Sequence, residues 1–173
     1  KDADEKDIVQ MDKLANAVVM TSQGTAFIHA GAEMLRTKKG HHNTYNLPDS
    51  INQIDWNWKV SNARVVDYYK NLITLRKQHP AFRMTSSEEV RNKLEFKKAE
   101  NGLISFQIED SANGDIWKNI YVVYNAKTQA VNYDLQGEWE VAVLGDDFFF
   151  DKNEIVTGSV EVPAISMMVV FQK

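Results

Sequence analysis

The sequence predicts an α+β protein in which a helix–strand–helix segment precedes an antiparallel β domain. Apolar residues recur at the three- and four-residue spacing of helices up to about residue 83. From Lys93 onward the apolar spacing falls to two, and turns such as Asn101–Gly102 separate short apolar runs. A long polar loop interrupts the first part, between two helical patterns. These three observations divide the chain into predicted domains at residues 1–83 and 84–173.

The first predicted helix covers residues 4–23. Its acidic start, with Asp4, Glu5 and Asp7, suits the positive end of a helix dipole, and Gly24 is a suitable stop. One apolar stripe predicts the face that packs against a core, and it consists of Ile8, Met11, Ala15, Val18 and Val19.

Residues 25–28 form a short apolar run, TAFI, that predicts a fully buried strand because it is too brief for a helix. After Gly31 comes a polar and aromatic loop of about thirty residues, and loops of this length are usually functional or disordered. Its aromatic residues and the turn at Pro48 argue against disorder. A strand, a chemically rich loop and a helix in this order are typical of the active-site face of a (β/α)8 barrel.

The second predicted helix begins after Ser61, a suitable cap, and ends at Pro80. Its apolar face consists of Val65, Tyr68, Tyr69, Leu72, Ile73 and Leu75. The β domain follows, with about seven short strands that predict an antiparallel β-sandwich. Their apolar runs lie near residues 94–96, 104–108, 120–124, 131–135, 139–144, 159–162 and 166–171.

Composition argues against several classes of function. The 43% hydrophobic and 25% charged residues are ordinary for a globular protein with a core. The formal net charge of −4 offers no basic surface for nucleic acid or for an anionic membrane. No apolar run is long enough to span a bilayer, and the absence of Cys excludes disulfides and thiolate metal sites. The first residues, KDADEKD, contain no apolar signal segment.

Three stretches of the chain resemble the type I pullulanases, the α-1,6-debranching branch of the α-amylase superfamily. They are GTAFIHAGAEMLRTKKG at 24–40, NTYNLPDSINQIDW at 43–56 and VVDYYKNLITLRKQHPAFR at 65–83. The resemblance implies that residues 4–23 are the seventh barrel helix and that the eighth strand, its loop and the eighth helix follow. It also implies that residues 84–173 are the β-sandwich domain that closes these enzymes.

The resemblance further implies a function for a longer parent protein. That enzyme would hydrolyse α-1,6 linkages in pullulan and branched α-glucans with retention of configuration, and without an organic cofactor. Its partners would be pullulan, amylopectin or glycogen-type oligosaccharides, together with the N-terminal barrel portion of the same enzyme. It would be bacterial, with export or a place in the cell envelope as open alternatives. Lys1 would then lie inside the longer protein.

The carboxylates of the long loop are Glu33, Asp49 and Asp55. A retaining glycosidase needs two carboxyl groups about 5–5.5 Å apart, so the residues alone keep all three as candidates. The resemblance implies otherwise, because the nucleophile, the general acid and the third carboxylate of the superfamily follow barrel strands four, five and seven. All three would precede Lys1, and the His-Asp-Asn signature of the seventh-strand site is absent. The chain is therefore expected to carry no catalytic residue.

The same loop contains residue types that bind sugars. Asn46, Asp49 and Asn52 offer planar polar groups that can fork onto adjacent hydroxyls, and Tyr45 offers a ring for the apolar face of a sugar. The resemblance implies that all four line the glucan cleft. The alternative is that Asn46 and Asp49 only form the turn around Pro48.

Other polar residues near this loop are expected to support the site. Glu33 and Arg36 are expected to pair across a turn beneath it, and His29 to form a hydrogen-bonded wall of the cleft. His41 and His42 are adjacent and lack the spacing of a zinc site, so no metal is predicted. A turn rich in side-chain oxygens could bind Ca²⁺, but a solvated turn is the preferred interpretation. Its residues are Asp146, Asp147, Asp151 and Asn153.

The tryptophans of the β domain bear on whether this domain binds sugar by itself. Trp117 follows the polar loop 110–115 and is expected at the surface, where one ring makes a weak sugar platform, whereas Trp139 is expected in the core. The β domain is interpreted as a stabilising lid on the barrel. Two rival functions stay open, an isoamylase-like debranching enzyme and a non-catalytic α-glucan-binding module. Affinity electrophoresis through amylopectin distinguishes the module, because it would be retarded without the barrel.

Overall fold

The computed structural model describes residues 4–173, so residues 1–3 of the first predicted domain lie outside the described residues. Within this range the α-helices are α1 (Glu5–Thr21), α2 (Asp49–Asn52), α3 (Trp58–Ser61), α4 (Ala63–Gln78) and α5 (Ser87–Lys93). Short 3₁₀ turns cover Ala32–Met34, Pro80–Arg83 and Ala112–Gly114. The strands are β1 (Leu94–Glu100), β2 (Leu103–Ile108), β3 (Asn119–Asn125), β4 (Val131–Leu144), β5 (Asp147–Phe148), β6 (Ile155–Val162) and β7 (Ser166–Gln172).

Helix α1 confirms the first predicted helix but buries a different face. Its buried residues are Lys13, Leu14, Ala17, Met20 and Thr21. Ile8, Met11 and Val18 of the predicted stripe are exposed. The helix carries apolar residues on two sides, and the β-sheet and α4 cover the side of Leu14 and Ala17. Periodicity alone could not tell which of the two sides would be covered.

Residues 25–28 form no strand and pair with no strand within residues 4–173, so the described residues do not show the fully buried strand that was predicted. Phe27 is 83% exposed, whereas Ala26 and Ile28 pack against the cluster beneath the helices. The alternation of exposure is that of a strand. A strand is buried on both faces only in a sheet that is covered on both sides, and the described chain supplies no neighbouring strand here.

Helix α4 confirms the second predicted helix, with a corrected start. Its N-terminal cap is Asn62, and Ser61 instead ends α3. The side-chain amide of Asn62 donates to the carbonyl of Met34, 2.8 Å away, and so ties the start of α4 to the preceding loop. Of the predicted apolar face, only Ile73 is exposed.

The β domain is one antiparallel sheet in the order β1-β2-β3-β7-β4-β5, with β6 paired to β4. The two predicted strands at 131–135 and 139–144 are the single strand β4, which has an irregularity in its register between Leu135 and Glu138. The two-residue strand β5 and helix α5 were not predicted. The turn Asn101–Gly102 joins β1 to β2 as predicted, with φ values of 50° and 74°.

Both faces of the sheet are covered, so it is sandwich-like although its strands form a single hydrogen-bonded sheet. Helices α1 and α4 pack on one face, where they share a cluster with β2, β3 and β7. The ribbon of β4 and β6 encloses a second cluster against the other face. The helical and β segments therefore share one hydrophobic core. No helix within residues 4–173 has both the length and the apolar character needed to cross a bilayer.

Candidate functional site

Arg76 fixes the entrance to the long loop. The residue is 8% exposed, and its Nη1 atom lies 2.8 Å from the carbonyl oxygens of Met20 and Ser22 and 2.9 Å from that of Phe82. Its Nη2 atom lies 2.5 Å from the carbonyl oxygen of Gly24. The carbonyls of Met20, Ser22 and Gly24 belong to the end of α1 and the turn that follows it, where a positive charge is favoured, whereas that of Phe82 belongs to the 3₁₀ turn after α4. One side chain thus sets the direction in which the chain leaves α1.

A compact turn at residues 31–36 begins the loop. The carboxylate of Glu33 accepts from the backbone N–H of Gly31 at 2.9 Å. Gly31 has a φ of +96°, and a Cβ atom there would lie 2.6 Å from Cδ of Arg36. Only glycine fits this close approach, because any side chain would collide with Arg36.

Glu33 and Arg36 form no ion pair within residues 4–173, so that prediction is wrong. Glu33 instead stabilises its own turn, and Arg36 donates to the carbonyl oxygens of Ala30 (3.2 Å) and Asn52. The Nε atom of Arg36 is the one fully buried side-chain nitrogen or oxygen in residues 4–173 that lacks a hydrogen-bond partner. Arg36 therefore ties the two ends of the loop together through backbone carbonyls.

Asn52 organises the loop from inside. Its side-chain amide donates to the carbonyls of Thr44 and Leu47 at 2.7 and 2.8 Å, and its Oδ1 atom accepts from Nζ of Lys38 at 2.7 Å. Its own carbonyl accepts from Arg36. Three segments of the loop are therefore held by one half-buried residue, which leaves little of the Asn52 side chain free for a sugar.

The remaining predicted contact residues lie on the exposed surface of the loop. Tyr45 is 84% exposed, and Asn46 and Asp49 are exposed as well. Asp49 is the first residue of α2, immediately after Pro48. No hydrogen bond within residues 4–173 involves the side chains of Tyr45, Asn46 or Asp49, so all three are available to a ligand. The turn around Pro48 forms without them, through the Asn52 amide.

The histidines of this region are exposed. His29 contributes its carbonyl to the turn, accepting from the N–H of Ala32 at 3.0 Å, and its ring has no hydrogen-bond partner within residues 4–173. His41 and His42 are also on the surface. The described residues contain no group of three or more His, Asp or Glu side chains placed to hold a metal ion. Asp146 instead pairs with Lys13 of α1 at 2.7 Å.

Two features of this site were missed from the sequence. Phe27, Trp56 and Val60 are 83%, 67% and 80% exposed and give the surface around the loop an apolar character. The clamp by Arg76 was also missed, although its position was informative. Arg76 follows Leu72 by four residues and therefore lies on the buried face of α4, where an arginine must have partners.

Comparison with known protein families gives a match within the β domain. The sequence pattern of the family "Pullulanase, all-beta domain" matches residues 90–147. The pullulanase of Bacillus subtilis is 37% identical over 141 residues, which are 82% of this chain and 20% of that relative. An isoamylase of Flavobacterium is 34% identical over 139 residues, covering 69% of this chain and 18% of that relative.

Solved structures agree over almost the whole chain. A pullulanase from Bacillus acidopullulyticus matches 98% of this chain and 21% of its own, with a TM-score of 0.93 and 43% identity. The type I pullulanase of Bacillus subtilis in complex with maltose matches 98% of this chain and 24% of its own, with a TM-score of 0.92 and 31% identity.

These findings define the class of the chain as a domain of pullulanase- and isoamylase-like debranching enzymes. Within that class it belongs with the pullulanases, as the three sequence stretches predicted. The α+β class and the antiparallel sheet are confirmed. The chain spans about one fifth of the length of the curated relatives described above.

Proposed function

We propose that this chain is the part of a pullulanase-like glycoside hydrolase that contacts the glucan beside the cleaved bond, with α-1,6 linkages of pullulan and branched α-glucans as its substrate. The observation that carries the proposal is the match of 98% of the chain to pullulanases of solved structure. One of those pullulanases is a complex with maltose, an α-glucan fragment.

In this proposal residues 1–83 are the last part of a (β/α)8 barrel and residues 84–173 the domain that closes it. Two observations support the barrel segment. Residues 25–28 alternate between exposed and packed side chains like a strand, and α1 and α4 flank them. The neighbouring strands would come from the rest of the enzyme and would cover Phe27.

The loop supplies the sugar contacts. Tyr45 would lie against the apolar face of a glucose residue, while Asn46 and Asp49 would hydrogen-bond to its hydroxyls. Their exposed side chains have no partners within residues 4–173, which supports this role. Asn52 would act mainly by positioning the loop, together with Arg36, and Glu33 would hold the turn at Gly31.

The catalytic carboxylates would lie outside this chain. Among the loop carboxylates, Glu33 is engaged by the N–H of Gly31, and Asp55 accepts from the N–H of Asn57 at 3.0 Å. Asp49 is then the one loop carboxylate that accepts no such hydrogen bond within residues 4–173. A glycosidase that retains configuration needs two catalytic carboxyl groups, so the loop does not supply the pair. The identity to an isoamylase supports isoamylase-like debranching as a second candidate.

Replacing Asp49 with alanine in the full-length enzyme is expected to lower kcat/KM on pullulan. The expected loss of transition-state stabilisation is about 1–3 kcal/mol, the cost of a lost hydrogen bond to a charged group. The melting temperature should stay unchanged, because the exposed carboxylate stabilises no contact within residues 4–173. Steady-state kinetics with Ser50→Ala as the matched exposed control provides the measurement. Normal kinetics with a lowered melting temperature would mean that Asp49 only forms the turn.

A further inference from the structure

A pocket of about 460 Å³ lies far from the loop, where the C-terminal end of α4 meets the β-sheet. Its walls include His79, Trp117, Phe149 and Phe150, with Lys152 and Asn153 among its polar residues. Sites for small ligands have volumes of about 300–1,000 Å³ and are mainly apolar with a few polar groups, as here. The pocket lies at the C-terminal end of α4, a helix about 24 Å long, whereas Asn62 at its N-terminal end contacts the loop at Met34.

The wall of the pocket is held rigidly by stacked rings. The centroid of the Trp117 indole lies 3.3 Å from that of His79 on one side and 4.0 Å from that of Phe171 on the other. All three residues are more than nine-tenths buried. The carboxylate of Asp115 fixes the stack, since it contacts Nδ1 of His79 at 3.0 Å and accepts from the backbone N–H of Trp117 at 2.9 Å.

Two ring nitrogens of the residues in this wall have no hydrogen-bond partner among the described residues. Within residues 4–173, neither Nε2 of His79 nor Nε1 of Trp117 has a hydrogen-bond partner. Neither atom is fully enclosed, because Arg36 Nε is the single fully buried atom without a partner in this range. Both nitrogens therefore keep some accessible surface, and both residues line the pocket.

The two nitrogens offer complementary hydrogen bonds. A carboxylate only accepts, so the Nδ1 atom of His79 carries the proton that it shares with Asp115. In the neutral ring, Nε2 is then an acceptor, whereas Nε1 of Trp117 is a donor. A hydroxyl group can both donate and accept, so neighbouring hydroxyls of one sugar match this pair. Lys152, which lies 5.6 Å from the centroid of the Phe149 ring, and Asn153 add further polar groups.

We infer that this pocket is a second α-glucan-binding site, which holds a glucose residue of a bound chain through the ring nitrogens of His79 and Trp117. The ligand class rests on the proposed function of the chain and on the maltose complex of its relative. The site itself is built entirely from residues 78–173. This chain therefore supplies a lined pocket by itself, whereas the proposed cleft at the loop would need residues from the rest of the enzyme.

Calorimetric titration of the chain with maltotriose tests this inference. We expect saturable binding that Trp117→Phe weakens by about tenfold or more, because the variant keeps a stacked ring but lacks the indole N–H. Trp139→Phe is the matched control, since the indole of Trp139 donates to the carbonyl of Gln136. It should bind like the unmodified chain.

The remaining outcomes separate this inference from the proposed function. Absence of binding by the unmodified chain would overturn the second site without bearing on hydrolysis by the full enzyme. Binding that is lost in Tyr45→Ala but retained in Trp117→Phe would overturn it and favour the loop alone. Should Trp117→Phe fail to fold, the exposed rim variant Asn153→Ala decides, and unchanged binding by that variant would refute the site.

Discussion

Replacing Arg76 with methionine is expected to lower the free energy of unfolding by about 3–5 kcal/mol, because a buried network of charged hydrogen bonds is lost. The guanidinium satisfies the carbonyls of Met20, Ser22, Gly24 and Phe82, and no carboxylate within residues 4–173 shares it. Burial, and then the neighbouring Arg83 guanidinium, lower the pKa of Arg76. Arginine nevertheless keeps its charge in proteins, so the interaction persists at neutral pH.

Urea unfolding of the chain measures this loss. The control is Arg64→Met, on the same helix, where the arginine is exposed and makes no hydrogen bond within residues 4–173. Hydrogen exchange should also become faster at residues 20–28 in the Arg76 variant, since the chain there loses its anchor. Equal stability of the two variants would contradict the role of Arg76 as the clamp at the start of the loop.

Asp115→Asn is expected to destabilise the chain by about 2–4 kcal/mol. The Asp115 side chain is fully buried and joins the helical segment to the β-sheet through His79, through the N–H of Ala81 at 3.0 Å and through that of Trp117. An asparagine would direct an NH₂ group at one of these donors. Burial alone raises the pKa of Asp115, but the hydrogen bonds from His79 and from the two backbone N–H groups outweigh it, and the pKa lies below its usual value.

The pH dependence of this effect has a defined sign. A carboxyl group with a lowered pKa in the folded state contributes its full stabilisation above its unfolded pKa of about 3.9 and loses it as the pH falls through the folded value. The stability difference between the unmodified chain and Asp115→Asn should thus be constant above about pH 5 and shrink in acid. Denaturant unfolding at several pH values measures it, with the exposed Asp134→Asn as control. A difference that grows in acid would contradict the assignment.

The sequence predicted the regular elements well because their apolar spacing is set by local geometry. Helix α4 and most strands lie where periodicity placed them. The buried face of α1 could not be predicted, since Leu14 and Val18 are equally apolar and only the sheet decides between them. The strand predicted at residues 25–28 is not formed within residues 4–173, because a strand needs neighbours to pair with and the apolar run alone does not supply them.

The candidate site was also predicted only in part. The type of loop and its exposed residues, Tyr45, Asn46 and Asp49, followed from composition and from the family resemblance. The internal partners did not, because Asn52 joins residues that are 5, 8 and 14 positions away, and such contacts have no local signature. Trp117 was expected at the surface, but it is 6% exposed because His79 and Phe171 cover both its faces. Trp139 is 5% exposed, which confirms its place in the core.

The central proposal is that this chain forms part of an enzyme that cleaves α-1,6 linkages, and the products of pullulan digestion test it most directly. Pullulan consists of maltotriose units joined by α-1,6 bonds. The full-length enzyme that contains this chain should therefore release maltotriose as its single final trisaccharide, as resolved by anion-exchange chromatography. Release of panose or isopanose, which requires cleavage of α-1,4 bonds, or the absence of any product from the folded enzyme, would contradict the proposed function.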